Sequence, residues 1–220
     1  MRKEEANLIY NVISGLPGSF TILNIGSSSK DFREERQPHV GDLFHSLTIN
    51  GNKVEHLDVK KEKGVDIVLN IFDKDERNGF DFNRFNFYLV SNLLEHLDVE
   101  YLANFSSVLD SIMKSDDYFL IIQPSSYPIH FDPIDNYYRP DSNVLKDLMN
   151  DNFHVISSGE VLSSTFLQDF LATTFRLKLR TIVTLFCPFF RFKAWLGNWH
   201  RLLWLNYRYK SSYCLFQKVK

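Results

Sequence analysis

The chain has 220 residues, 44% of them hydrophobic and 24% charged, with a formal net charge of −2. That suits one α/β core with an appendage. Its first residues, MRKEEANLIYNVI, are charged and amphipathic and do not resemble a signal peptide, so a cytoplasmic location is expected. Cys187 and Cys214 lie in apolar surroundings without metal-ligand spacing. They read as two buried, reduced thiols rather than a metal centre.

Residues 4–14 carry apolar side chains at helical spacing, and Gly15, Pro17 and Gly18 end that helix. Residues 20–25 (FTILNI) form a short apolar run ended by Gly26 and three serines, the first buried strand. Residues 37–47 hold a helix or an ordered loop. Residues 54–59 (VEHLDV), 65–71 (VDIVLNI) and 85–90 are the next three strands, followed by a helical pattern over 97–113. Residues 118–122 form a fifth strand, 143–149 a helix and 153–158 another strand. Residues 213–218 look like a closing edge strand. Strands alternating with helices predict a doubly wound, mostly parallel Rossmann-like α/β sheet. The longest apolar run, 181–190, lies between arginines and contains Pro188. It is about half of the ~20 residues a spanning helix needs.

Open α/β sheets bind ligands beyond the C-terminal ends of their strands. Gly26 follows the first strand, where a glycine permits positive φ and close approach of a ligand to the backbone. Ser27, Ser28 and Ser29 after it can donate to a carboxylate or a ribose. Asp58 ends the second strand, where an acidic side chain can accept both ribose hydroxyls of an adenosine cofactor. Asp66 fits a local hydrogen-bonding role near the start of the third strand. Asn70 can bind an adenine edge or simply line the crevice, and Asp73 competes for that role. Ser91 and Asn92 follow the fourth strand. Glu95 and His96 then open the next helix, either interacting with exposed helix N–H groups and neighbouring polar atoms or touching ligand directly. No G-x-G-x-x-G follows the first strand, which argues against a nicotinamide dehydrogenase.

Several segments occur in a recognisable order: the Gly-Ser turn after the first strand, His-Leu-Asp at 56–58, GVDIV at 64–68 and SNLLEH at 91–96. A loop over 124–140 follows, with the pattern P-x(3)-P-x-H-x-D-P-x-D-x-x-Y-R-P. Together, over about residues 20–158, they resemble class I S-adenosylmethionine-dependent methyltransferases. The likeness is to the bacterial type encoded with surface-polysaccharide and glycan-biosynthesis genes. The resemblance implies S-adenosylmethionine as cofactor, held by Gly26, Ser27, Asp58, Asn70, Ser91, Asn92 and His96, with the Ser91–Asn92 turn beside the methyl donor. It implies a sugar, lipid-linked glycan or similar acceptor. Methyl transfer to oxygen needs alignment, exclusion of water and a base. His130 is the first choice for that base. Asp135 is the second choice or orients His130, and Arg139 holds an anionic substrate or pins the loop through a carboxylate. A metal at His130, Asp132 and Asp135 is poorly supported by so short a set in a proline-broken loop. The first loop lacks the family's further glycines, and Asn70 stands where an acid is usual. The alternative is therefore a non-catalytic binding or scaffold protein on the same fold.

The charge is unevenly spread. Residues 171–220 contain ten Lys or Arg and no Asp or Glu. A methyltransferase-like core over 1–160 and a basic, aromatic-rich helical appendage over 161–220 follow from this contrast. The appendage reads as a helical cap with its apolar face in the core, or as a helix on a membrane surface. The acidic first 170 residues weigh against nucleic acid.

Overall fold

The computed structural model describes residues 1–128, 135–186 and 192–219. Its element order is α1 (Lys3–Gly15), β1 (Thr21–Ile25), a π-turn (Phe32–Arg36), α2 (Pro38–Ile49), β2 (Lys53–Asp58), β3 (Ile67–Val68) and α3 (Lys74–Asn78). Then come β4 (Phe87–Ser91), a 3-10 turn (Leu94–His96), α4 (Val99–Ile112), β5 (Tyr118–Ser126) and α5 (Ser142–Asp147). The chain closes with β6 (Phe153–Thr165), the helices α6 (Phe166–Ala172), α7 (Phe175–Phe186) and α8 (Phe192–Arg201), and β7 (Arg208–Lys218).

The seven strands form one sheet in the order β3-β2-β1-β4-β5-β7-β6. β1 to β5 are mutually parallel, and β7 runs antiparallel to both its neighbours. This is the doubly wound, mostly parallel Rossmann-like sheet that the alternation of strands and helices predicts.

The central strands are mostly apolar because both their faces are buried. Ile22, Leu89, Leu120 and Ile122 pack with Ile9, Ile13 and Leu43 of α1 and α2 on one face. Leu23, Val90, Phe119 and Ile121 pack with Phe105 and Leu109 of α4 on the other. Consecutive side chains alternate between the two cores, as a period of two requires.

Three expectations need correction. The strand expected at 213–218 is not at the edge: β7 lies between β5 and β6. Leu215 enters one core, while Cys214 and Phe216 enter the other. The strand expected over 65–71 shrinks to Ile67–Val68. The Asp66 carboxylate accepts the His56 N–H at 2.8 Å, and Asp73 caps α3 through the N–H groups of Asp75 and Glu76. Glu95 and His96 do not open a helix. They lie in a separate 3-10 turn, and α4 starts only at Val99.

Residue 160 falls inside β6, which pairs with β7 within the sheet, and the chain between these two strands forms an arm of helices, α6 to α8. No residue of α6 or α7 is buried. Cys214 is a free, buried thiol pushed up to about 12 by burial; Cys187 lies outside the described residues.

His56, on β2, meets Phe44 edge-on at 4.8 Å, and its Nδ1 accepts from Asn24 Nδ2 at 3.1 Å. Amide nitrogen only donates, so this contact requires an unprotonated Nδ1. Burial, aided by the Arg33 charge and opposed by Asp66, lowers the ring to about 4 from 6.5. The unfolded ring takes up a proton at higher pH than the folded one. His56 therefore contributes stability above pH 6.5 that is lost as pH falls towards 4, about 3 kcal/mol at most. Urea unfolding at several pH values is expected to show this slope in the wild type and a flatter one in His56→Gln.

Candidate functional site

The chain order reverses between β1 and β4, because β2 and β3 lie to one side of β1 and β4 and β5 to the other. Such a switch point opens a crevice at the C-terminal ends of the strands. Here it is a cavity of about 1170 Å³, more than enough for one drug-sized molecule. Gly26, Ser27, Asp58, Asn70, Ser91, Asn92 and His96 all line it.

The first loop is built without its further glycines in a definite way. Gly26 has φ +74°, and a Cβ placed there would stand 2.8 Å from Leu93 Cδ1. The N–H groups of Gly26 and Ser27 both donate to the Leu57 carbonyl, at 2.9 and 3.0 Å. Ser28 also has positive φ, at 57°, a strained state for a residue with a Cβ. Two contacts hold it: its N–H donates to Asp58 Oδ2 at 2.8 Å, and its carbonyl accepts from the buried Arg33 guanidinium. Arg33 also reaches the Ser27 carbonyl at 3.2 Å and the Gly64 carbonyl at 2.7 Å. A buried arginine thus fixes a turn that glycine would otherwise make easy.

Asp58 accepts the Lys60 N–H at 3.0 Å through its other oxygen. A carboxylate has about four lone-pair sites, so each oxygen keeps one free for a diol. Asn70 uses Oδ1 on the Phe72 N–H at 3.1 Å and its own N–H on Glu76 at 2.8 Å. Asn92 has φ +51°, and its amide donates to Glu5 Oε2 at 3.3 Å and Ser91 Oγ at 3.2 Å.

Two buried carboxylates stand in the cavity wall: Glu95, already a candidate from the sequence, and Glu5, which spacing alone did not bring out. Glu5 accepts the Arg2 N–H at 2.7 Å and the Ser211 hydroxyl. It shares the stripe of Ile9 and Ile13 on α1, and an acid on an apolar stripe was the available signal. Glu95 is 2% exposed, and among the described residues its Oε2 has no hydrogen-bond partner. Its Oε1 stands 3.9 Å from His96 Nε2. Burial raises the Glu95 carboxyl to about 7; Arg139 opposes the rise, and Glu5 and Asp135 add to it. A carboxyl poised near neutrality with an unused oxygen can hold or accept a proton.

His130 and Asp132 lie outside the described residues. Arg139 and Asp135 pair with each other, Nη2 to Oδ2 at 2.5 Å, and neither lines the cavity. Beside them Asn136 donates to the carbonyls of Leu94 and Leu97, both at 2.7 Å, and its N–H to the Glu95 carbonyl at 2.8 Å. These contacts fasten the loop to the back of the Leu94–His96 turn. Tyr127 and Arg201 complete the wall from the arm side. Among the described residues no cluster of His, Cys, Asp and Glu could hold a metal.

No protein-family model matches the chain, and no curated protein does. Solved structures match along nearly its whole length. Coclaurine N-methyltransferase, bound to N-methylheliamine and S-adenosylhomocysteine, is 14% identical with a TM-score of 0.53, over 98% of this chain and 72% of that one. A putative sarcosine dimethylglycine methyltransferase from Galdieria sulphuraria is 12% identical with a TM-score of 0.57, over 99% and 85%. A SAM-dependent methyltransferase from Archaeoglobus fulgidus is 15% identical with a TM-score of 0.53, over 97% and 94%. At these identities the likeness is one of fold: the chain has the α/β architecture of class I S-adenosylmethionine-dependent methyltransferases, with its cavity at the switch point of the sheet.

Proposed function

We propose that this protein binds S-adenosylmethionine in the switch-point cavity and transfers its methyl group to a hydroxyl of a sugar-bearing glycan precursor. The observation that carries the cofactor half is the convergence of Gly26, Ser27, Asp58, Asn70, Ser91, Asn92 and His96 on one cavity. Asp58 has lone pairs left for the two ribose hydroxyls, and Gly26 brings its backbone to the cavity wall at positive φ. Asn70 offers an amide to the adenine edge. The Ser91–Asn92 turn borders the reacting end. S-adenosylmethionine, when bound, supplies a methyl group on a positively charged sulfonium.

The acceptor class comes from the sequence resemblance. In this reading Glu95 takes the hydroxyl proton through its Oε2, or shares that task with His130. Asn92 orients Glu5, and the Arg139–Asp135 pair braces residues 135–139. A second reading has its own support: the buried acids Glu5 and Glu95 in one wall also suit a cationic amine acceptor.

Titration calorimetry with S-adenosylmethionine and S-adenosylhomocysteine tests the cofactor half. Micromolar binding of both is expected. No heat up to millimolar ligand would leave a methyltransferase fold retained for binding partners alone.

A further inference from the structure

The helices α7 and α8 leave two apolar stripes uncovered. On α7, Phe175, Leu179, Ile182, Val183 and Phe186 recur at positions i, i+4, i+7, i+8 and i+11, one face of a helix. All five are exposed, Phe175 to 79% and Phe186 to 76%. Arg176 and Arg180 border this stripe on one side and Lys178 on the other, by the helical angle of 100° per residue. On α8 the same spacing puts Phe192, Leu196 and Trp199 on one exposed face, which Leu203 continues beyond the helix.

The helices are ordered by each other: the indole N–H groups of Trp195 and Trp199 both donate to the Leu185 carbonyl, at 2.9 and 3.0 Å. The base of the arm is anchored separately. Trp204 Nε1 donates to Ser126 Oγ at 3.1 Å, and Arg2 pairs with Asp169 at 2.9 Å.

A cap over the sheet would bury the α7 stripe, and no residue of α7 is buried. The charge selects what covers it instead. Residues 175–201 carry six basic side chains and no acidic one, while the first 170 residues are strongly acidic. A second copy packed symmetrically on the stripe would oppose basic arm to basic arm. An anionic lipid surface matches both properties: the apolar stripe enters the headgroup–acyl boundary, and Arg and Lys at its borders meet lipid phosphates. The exposed Trp199 suits the same boundary. Among the described residues no helix is long and apolar enough to cross a membrane, so the contact is a lateral one. We infer that the α7–α8 hairpin docks this protein on anionic membrane surfaces, with its apolar stripes inserted and its arginines on lipid phosphates. Arg201, at the end of α8, lines the cavity, so docking brings the cavity mouth close to the lipid.

The test is flotation of the full chain with phosphatidylcholine vesicles, with and without phosphatidylglycerol. Binding is expected only with phosphatidylglycerol and is expected to weaken with salt. The doubles Phe175→Ser/Phe186→Ser and Arg176→Glu/Arg180→Glu should each lower the vesicle partition coefficient by at least about tenfold. All four sites are exposed, and calorimetry with S-adenosylhomocysteine on the same variants separates failure of docking from failure of the cofactor site. Equal binding to neutral vesicles, no binding to either, or unchanged binding of both doubles overturns the proposal. So does a dimer in light scattering that Phe175→Ser/Phe186→Ser dissociates while the wild type ignores vesicles, because a second copy then covers the stripe.

Discussion

Asp58→Ala is expected to weaken S-adenosylhomocysteine binding by about a hundredfold or more. Two hydrogen bonds to a charged acceptor are lost, each contributing about 1.5–3 kcal/mol. The same carboxylate holds the Ser28 N–H at 2.8 Å and so maintains the positive φ of that residue. Alanine therefore removes the diol acceptor and releases the strained turn together. Asp58→Asn separates the two effects, because its carbonyl oxygen can still accept one of the backbone N–H groups. Its loss of affinity should be smaller than that of alanine. Calorimetry on the three proteins reads the difference, and wild-type affinity in Asp58→Ala would remove Asp58 from the site.

Glu95→Gln should change activity and stability in opposite directions. As proton acceptor, Glu95 must be ionised, so the wild-type rate should rise with pH through about 7. Glutamine should lower the rate by about 10²–10⁴-fold and abolish that limb of the profile. The stability sign runs the other way. The folded carboxyl holds its proton to about 7, while the unfolded one releases it near 4.5. Between these values the folded state binds more protons, so its advantage is present below pH 4.5 and lost as pH rises through 7. The shift corresponds to about 3 kcal/mol at most. Glu95→Gln should thus be more stable than wild type at pH 8, by about 1–3 kcal/mol, and close to it at pH 4.5. Denaturant unfolding at the two pH values checks this. The slope of His56 has the opposite sign over an overlapping range, so each must be measured against its own variant. Unchanged activity with raised stability would make Glu95 a buried carboxyl without a part in proton transfer.

Much of the core could be read directly from the chain. The runs at 20–25, 85–90 and 118–122 are apolar because β1, β4 and β5 are buried on both faces, and that burial leaves its mark residue by residue. Gly26, Asp58 and Asn92 could be placed at strand ends because parallel strands deliver their C-terminal residues to one edge. What happens at the arm was not legible in the same way. Residues 213–218 are as apolar as an edge strand packed on one core, and only pairing with both β5 and β6 makes β7 internal. Arg139 and Asp135 look like substrate contacts in a polar loop, yet they satisfy each other behind the Leu94–His96 turn.

By itself, then, the sequence determined the alternation of strands and helices, the apolar faces of α1 and α4, and the turn residues at the mouth of the crevice. These depend on neighbours within a few positions, where periodicity and backbone preference act. The tertiary structure alone decided that Glu5 and Glu95, ninety residues apart, enter one wall. It also decided that Glu95 loses its water and is raised to about 7, and that the α7 stripe stays outside the core. A helical stripe has the same spacing whether it faces a sheet or solvent. Burial and desolvation depend on what the rest of the chain brings alongside, and that is set by packing rather than by local pattern.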